Sequence, residues 1–292
     1  MNFDDLVQKN LVTKKTYVNG LSIYKYTRKV FFDNLWHLDD RLLDARGLVL
    51  DANNKVVINP FSKVFNYKEN GVTVDLEKEI IAVRKVNGFM AAMTLYKGEL
   101  LFSSTGSLES DYVKLAKYMI LDTIKNKRLV IPEYTYLFEI CHESDPHIVK
   151  EDVGVYLIGI RDSTIDSPLL SQRLLDEEAE LFGFKRPDWG ICKFKEVLQA
   201  STHVTHEGFM IHDLRGQALC KLKSTFYLNK KALQRCGKQK VDAMFNNPEA
   251  FKEKLDEEFY SLFDKIITSF TKEQWLNLEE EERSEWIFNN LS

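Results

Sequence analysis

Nowhere in the 292 residues does an apolar run approach the ~20 residues that a membrane-spanning helix needs. Residues 1–10 carry acids where a secretory leader would be basic and then apolar. The expectation is a cytoplasmic protein with no membrane partner. Cysteine is scarce: Cys141, Cys192, Cys220 and Cys236 are scattered without a C-x-x-C pair. That spacing excludes a disulfide framework and a structural zinc site and fits a reduced compartment. Positive charge is not in excess, the formal net charge being −4. No global field advertises a nucleic-acid partner, although a local basic groove remains open. Neither G-x-x-x-x-G-K-[ST] nor G-x-G-x-x-G occurs, so P-loop and Rossmann readings lack support. His142 with His147, and His203 with His206, have no third ligand at metal-site spacing.

What is present is ordinary in bulk, with 44% hydrophobic and 29% charged residues, enough for one large domain or one domain with an appendage. Strand signals dominate the first three quarters. Tyr17 to Tyr26 is extended, with a turn at Asn19-Gly20. Arg46 to Leu50 and Lys55 to Ile58 flank a polar turn, and Tyr134 to Cys141, Val153 to Arg161, and Gly208 to His212 with Ala218 to Leu222 read as further strands. A helix is expected over Ser110 to Asn126, with Leu115, Tyr118, Met119 and Ile124 facing a core, and another from Ser167-Pro168 to Gly183. After about Asn229 glycine nearly vanishes and helical periodicity takes over. Asn247-Pro248 caps a stripe of Phe251, Leu255, Phe259, Leu262, Phe263, Ile266 and Phe270, and Thr271 with Gln274 forms a capping box. The expectation is an α+β body over residues 1–228 and an all-helical domain over 229–292.

Within the body, Lys85-Val86-Asn87-Gly88 lies between two apolar runs and suggests strand, tight turn, strand. Phe138-Glu139-Ile140 puts a carboxylate inside a buried strand, and Glu207-Gly208-Phe209 puts another at a strand entrance. Lys221-Leu222-Lys223 places two lysines on one strand face, since side chains alternate, and Arg46-Gly47 precedes an apolar strand. Each alone has a bland explanation as an edge-strand or solvated charge. The run Lys221, Lys223, Lys230, Lys231, Arg235, Lys238 and Lys240 is either a solvated face or a track for an RNA backbone.

Together and in this order the segments resemble the covalent nucleotidyltransferase superfamily of ligases and capping enzymes, over about residues 40 to 228. Lys85 to Gly88 looks like its nucleophile motif, usually K-x-D-G. Phe138-Glu139, Val155 to Arg161, Glu207 to Ile211 and Lys221 to Lys223 look like the motifs that follow. Ala45-Arg46-Gly47-Leu48-Val49 and Lys63-Val64-Phe65-Asn66 resemble the phage-type RNA ligase 1 branch. Two departures stand out: Asn87 replaces the usual aspartate, a variant associated with fungal-type tRNA ligases, and Phe102 to Gly106 lacks the lysines of the phage enzyme.

The resemblance implies an adenylation domain of antiparallel sheets flanked by helices, and an ATP-dependent RNA ligase working through a lysyl-AMP and an AMP-capped RNA. In that scheme Lys85 is the nucleophile, and Lys221 and Lys223 contact the α-phosphate. Glu139, with Asn87 and Gly88, lies at the ribose, and Glu207 faces Mg2+ (or Mn2+). Arg46 and Lys63 contact phosphates, and Phe65 stacks on adenine. Expected partners are ATP and single-stranded or tRNA-like broken RNA ends, with the protein a monomer and a virus or phage as one source compatible with the resemblance. The alternatives are a DNA ligase or capping guanylyltransferase, whose OB-fold domain would show short strands after residue 230, or a non-catalytic relative that binds RNA or nucleotide.

Overall fold

The computed structural model describes residues 2–145, 147–149, 151–228, 231, 238–253, 260–279, 282–283, 286–287 and 290. Its strands are β1 (Val12–Thr16), β2 (Ser22–Tyr26), β3 (Arg46–Leu50), β4 (Val56–Ile58), β5 (Glu79–Arg84), β6 (Phe89–Tyr96), β7 (Glu99–Ser104), β8 (Tyr134–Cys141), β9 (Gly154–Asp162), β10 (Trp189–Lys193), β11 (Gly208–His212) and β12 (Ala218–Lys223). They form three four-stranded sheets, in the orders β1-β2-β3-β4, β7-β6-β8-β9 and β10-β5-β11-β12. With helices interspersed, the fold is α+β, as the sequence indicates. Among the described residues no helix is long and apolar enough to cross a membrane. Two compact units arise from discontinuous stretches: Met1–Val64, Val86–Trp189 and Asp213–Gln217 in the first, and Phe65–Lys85, Gly190–His212 and Ala218–Ser292 in the second.

The first unit is layered by strand alternation. Ala92 and Leu137 face one way from the β7-β6-β8-β9 sheet and pack with Ile23, Val49, Val57 and Ile58 of the β1–β4 sheet. Ala91, Met93, Tyr136, Phe138, Ile140, Val155 and Leu157 face the other way, onto the helices Asp111–Thr123 and Gln172–Phe182. The first helix is capped by Ser110, whose hydroxyl accepts from the Val113 N–H at 3.4 Å. Its buried stripe is Val113, Ala116, Met119 and Ile120, and Tyr118, expected in the core, is 67% exposed because at about 100° per residue it falls on the side of the helix opposite that stripe. The second helix starts at Ser171 rather than Ser167-Pro168. The Ser167 hydroxyl instead accepts from Arg161 Nε at 3.2 Å and donates to the Asp162 carbonyl at 2.7 Å, a tertiary use that holds the segment extended. Gly183 ends this helix at φ 89°, as expected.

In the second unit, Ile80, Ala82, Ile211, Cys220 and Leu222 share one face of the β10-β5-β11-β12 sheet and pack on Phe194 and Val197 of the helix Phe194–Ala200. Beyond residue 228 every described element is helical: Lys238–Asn246, Pro248–Lys252, Tyr260–Ser269 and Lys272–Asn277. Asn247 caps the second of these and Thr271 with Gln274 forms the capping box. The Phe251 and Phe263 rings stack at 5.7 Å, while Leu255 and Phe259 of the expected stripe lie outside the described residues.

The expected hairpin at Asn87-Gly88 does not form. β5 pairs with β11, with Phe209 opposite Arg84, and β6 pairs with β7 and β8, with Glu139 opposite Met90. Two strands adjacent in sequence thus find partners far away in the chain and enter different sheets.

Candidate active site

In the second unit the register of three strands lines up the chemistry. Val83, Met210 and Lys221 lie in one row across β5, β11 and β12, and Gly208 lies opposite Lys223 in the next row on the same face, two residues along. The Lys85 N–H donates to the Gly208 carbonyl at 2.8 Å, extending that second row past the end of β5. Directly opposed residues share a face, so Lys221 and Lys223 project away from the Leu222 core as alternation requires. Gly208 contributes no side chain to its row, and none would fit. At φ +129° its Cβ would meet the Leu222 carbonyl oxygen at 2.0 Å.

Glu207 turns its carboxylate to the lysines of this row. Lys85 Nζ donates to Oε2 at 3.1 Å and Lys223 Nζ donates to Oε1. Glu207 is only 2% exposed, so this carboxylate holds its charge among ammonium groups rather than water. Lys223 Nζ also lies 4.8 Å from the centre of the Tyr227 ring, a cation–π contact. The helix turn carrying Tyr227 is tied down by the Ser224 hydroxyl, which accepts the Tyr227 N–H at 3.1 Å. On the outer edge, the Lys221 N–H donates to the Phe65 carbonyl at 2.9 Å and the Lys221 carbonyl accepts from Tyr67 at 2.8 Å. Phe65 is half-buried beside that bond.

The first unit carries the amide and carboxylate that follow Lys85 in sequence. Glu139 Oε1 accepts the Gly88 N–H at 3.0 Å. A Cβ on Gly88 would come within 2.2 Å of the Ile140 carbonyl oxygen, so glycine is required by close passage of β6 against β8 and not by turn geometry. Asn87 is buried, its Oδ1 accepts the Val149 N–H at 3.0 Å, and its own N–H donates to Glu151 at 3.2 Å. Val86, Cys141 and Tyr156 pack beneath these polar groups. Arg46 starts β3, half-buried, and the following Gly47 (φ +94°) passes so close to Thr105 that a Cβ would meet its Cα at 2.9 Å. The hydroxyl-bearing segment that replaces the phage-type lysines therefore abuts the Arg46 strand.

Lys63 is 7% exposed, and its ammonium faces three rings: Phe31 at 4.9 Å, Trp36 at 5.4 Å and Tyr26 at 6.0 Å. Nothing in the spacing of Phe31 and Trp36 announces this, because a short helix (Arg28–Phe32) and a 3-10 turn (Leu35–Leu38) bring them to one place. Tyr227, Val149 and Glu151 likewise carry no sequence signal.

The expected basic track is not a surface feature as a whole. Lys221 and Lys231 are buried, and the Lys223 side chain is 7% exposed. Lys231 Nζ reaches the Tyr227 hydroxyl at 3.4 Å. Lys238 and Lys240 are exposed, and Lys230 and Arg235 lie outside the described residues. No group of three or more histidine, cysteine, aspartate or glutamate side chains able to hold a metal occurs among the described residues.

A family model described as RNA ligase matches residues 44–260. Among solved structures, a putative ATP-dependent DNA ligase from Aquifex aeolicus is 17% identical with a TM-score of 0.59, over 99% of this chain and 74% of that one. An archaeal ATP-dependent RNA ligase is 14% identical with a TM-score of 0.60, over 99% of this chain and 75% of that one. At such identity these two structures establish a shared fold and do not separate DNA from RNA ligation. The family match covers the Arg46 strand, Lys85, Glu139, Glu207 and the Lys221–Lys223 strand.

Proposed function

The chain belongs to the RNA ligase family, and from that premise we propose that it seals RNA 3′-hydroxyl and 5′-phosphate ends at the expense of ATP, with Lys85 as the nucleophile. The observation that carries the assignment is the Lys85–Glu207–Lys223 row, a buried carboxylate between two ammonium groups at a strand end.

In the first step the Lys85 Nζ lone pair attacks the α-phosphorus of ATP. A P–N bond forms, the P–O bond to pyrophosphate breaks, and pyrophosphate leaves with that electron pair. Glu207 Oε2, 3.1 Å from Nζ, is within reach of the proton the amine must lose. Lys223 and Lys221 supply positive charge where the phosphoryl oxygens gain negative charge. In the second step an oxygen of the RNA 5′-phosphate attacks the same phosphorus, breaking P–N and forming the AMP-capped end. In the third, the 3′-hydroxyl attacks the RNA phosphate and AMP leaves.

A divalent cation, Mg2+ or Mn2+, would be held mostly by phosphate and water oxygens together with the Glu207 carboxylate, because no group of three or more histidine, cysteine, aspartate or glutamate side chains able to hold a metal occurs among the described residues. Bound there it would neutralise triphosphate charge. Glu139, Asn87 and Gly88 are assigned to the ribose side, Phe65 to the adenine, and Arg46 and Lys63 to the outer phosphates. The physiological partner we assign is a broken RNA end of single-stranded or tRNA-like form.

The test is incubation with α-labelled ATP followed by mapping of the modified residue. The expected result is one AMP on Lys85, absent in Lys85→Ala and retained in Lys14→Ala. Label on another residue, or none with ATP, GTP or NAD, refutes the assignment. Sealing of single-stranded RNA but not of a nicked DNA duplex is expected. The reverse preference would move the protein to DNA ligation.

A further inference from the structure

We propose that Glu151, carried to the start of β6 by the connection between β8 and β9, is a second carboxylate of the ATP ribose pocket beside Glu139, and that it supplies there the negative charge that Asn87 does not. The proposal rests on the assignment of Asn87, Gly88 and Glu139 to the ribose, and it adds a residue to that set.

All the groups concerned lie in the first unit. Two consecutive backbone N–H groups end on carboxylates: the Gly88 N–H donates to Glu139 at 3.0 Å and the Asn87 N–H donates to Glu151 at 3.2 Å. The two acids arrive by different routes. Glu139 is fixed inside β8, opposite Met90 of β6 and Tyr156 of β9. Glu151 comes from the connection between Cys141 and Gly154, which is fastened on both sides of it. The Val149 N–H donates to Asn87 Oδ1 at 3.0 Å, the Tyr156 hydroxyl donates to the Asp152 carbonyl at 3.2 Å, and Lys185 Nζ donates to the Val153 carbonyl at 2.8 Å. Gly154 admits that lysine, since a Cβ there would meet the Lys185 Cδ at 2.9 Å. Bonds at Val149, Asp152 and Val153 thus hold the acid against the Asn87 backbone.

Charge gives the arrangement its use. A carboxylate that accepts a backbone N–H is stabilised in its ionised form, and its oxygens offer about four acceptor positions, so it can serve several donors at once. A ribose hydroxyl is such a donor. An aspartate at 87 would set a second carboxylate against the segment that carries Glu151, because the side chain at 87 bonds Val149, two residues before it. Two carboxylates so placed resist ionising together. The amide avoids that conflict: its oxygen accepts from Val149 as a carboxylate would, while the charge sits on Glu151. The asparagine of Lys85-Val86-Asn87-Gly88 is then a relocation of charge and not a loss of it.

The experiment measures lysyl-AMP formation against the concentration of ATP, 2′-deoxy-ATP and 3′-deoxy-ATP. The variants are Glu151→Gln and Glu151→Ala in the native and Asn87→Asp backgrounds, with Glu139→Gln and thermal unfolding alongside. Glutamine keeps an acceptor for the Asn87 N–H and loses only the charge. The proposal expects Glu151→Gln to raise the KM for ATP about tenfold, to narrow the preference for ATP over at least one deoxy analogue by a similar factor, and to leave the unfolding midpoint unchanged. In the Asn87→Asp background, where position 87 carries the charge, the same change should cost less than about twofold. A silent Glu151→Gln beside an impaired or unfolded Glu151→Ala marks a purely structural bond and overturns the proposal. An equal loss in both backgrounds, or for all three nucleotides alike, also overturns it. Glu139→Gln with native KM and native nucleotide preference removes the ribose assignment itself, and the place of Glu151 with it.

Discussion

Replacing Glu207 by alanine removes a carboxylate bonded to both Lys85 and Lys223, and the consequences can be worked from the geometry. Glu207 is 2% exposed, the Lys223 side chain 7% and the Lys85 side chain 21%. Deleting one partner of a buried ion pair costs about 3–5 kcal/mol, because the remaining charge keeps its desolvation penalty and loses its compensation. Lys85 can swing toward water and Lys223 keeps the Tyr227 ring, so the lower end, about 3 kcal/mol, applies. At roughly 2–4 °C per kcal/mol the unfolding midpoint should fall by about 6–12 °C. Glu207→Gln keeps the volume but turns an NH2 toward one ammonium, and should recover only part of that loss. Glu207→Leu combined with Lys223→Met removes charge on both sides and should regain most of the stability while remaining unable to adenylate, since the electrostatic contribution at stake is about 10²–10³ in rate. Calorimetry and labelled-ATP transfer on the same preparations decide the matter. An alanine variant that unfolds at the native temperature and forms lysyl-AMP at the native rate refutes the whole account of this row.

Three further outcomes are expected. Gly88→Ala cannot be accommodated without moving β6 away from β8, because the added Cβ stands 2.2 Å from a backbone oxygen. A loss of about 1–3 kcal/mol by denaturant unfolding is expected, together with lost adenylation. Asn87→Asp keeps the acceptor for Val149 and should stay active, whereas Asn87→Ala strands that buried N–H, and hydrogen exchange at Val149 should quicken about tenfold or more. Asp44 is held above its ordinary carboxyl value of 3.8 by burial, opposed by the Ser62 hydroxyl bond of 2.6 Å. Its proton is therefore bound more tightly in the folded state, so the stability it contributes is full below 3.8 and fades as pH rises through the higher folded value. Asp44→Asn should lose that part of the pH dependence and unfold later than native protein at pH 7, and equal midpoints across the acid range would contradict it.

Much of the site was legible because it is written in short, local signals. Alternation about Leu222 put Lys221 and Lys223 on one face, and the structure keeps them there. Asn247-Pro248, Thr271 with Gln274, and Gly183 mark helix ends by chemistry that needs no distant partner. Tyr118 was misplaced because a helix wheel fixes which residues share a face but not which face meets the core. Ser167-Pro168 has the local chemistry of a helix start, yet Arg161 and Asn59 draw the Ser167 hydroxyl into a tertiary network.

The sequence by itself determined which residues carry charge and chemistry and the strands and helices they ride on, since side-chain period and capping depend on near neighbours. Only the tertiary structure decided what those residues face. Lys85-Val86-Asn87-Gly88 has the letters of a hairpin, but the hydrogen-bond partners of its flanking strands are Phe209 and Glu139, more than forty residues away in either case. Strand pairing is non-local, and so is the burial that joins Glu207 to two lysines and closes three rings on Lys63.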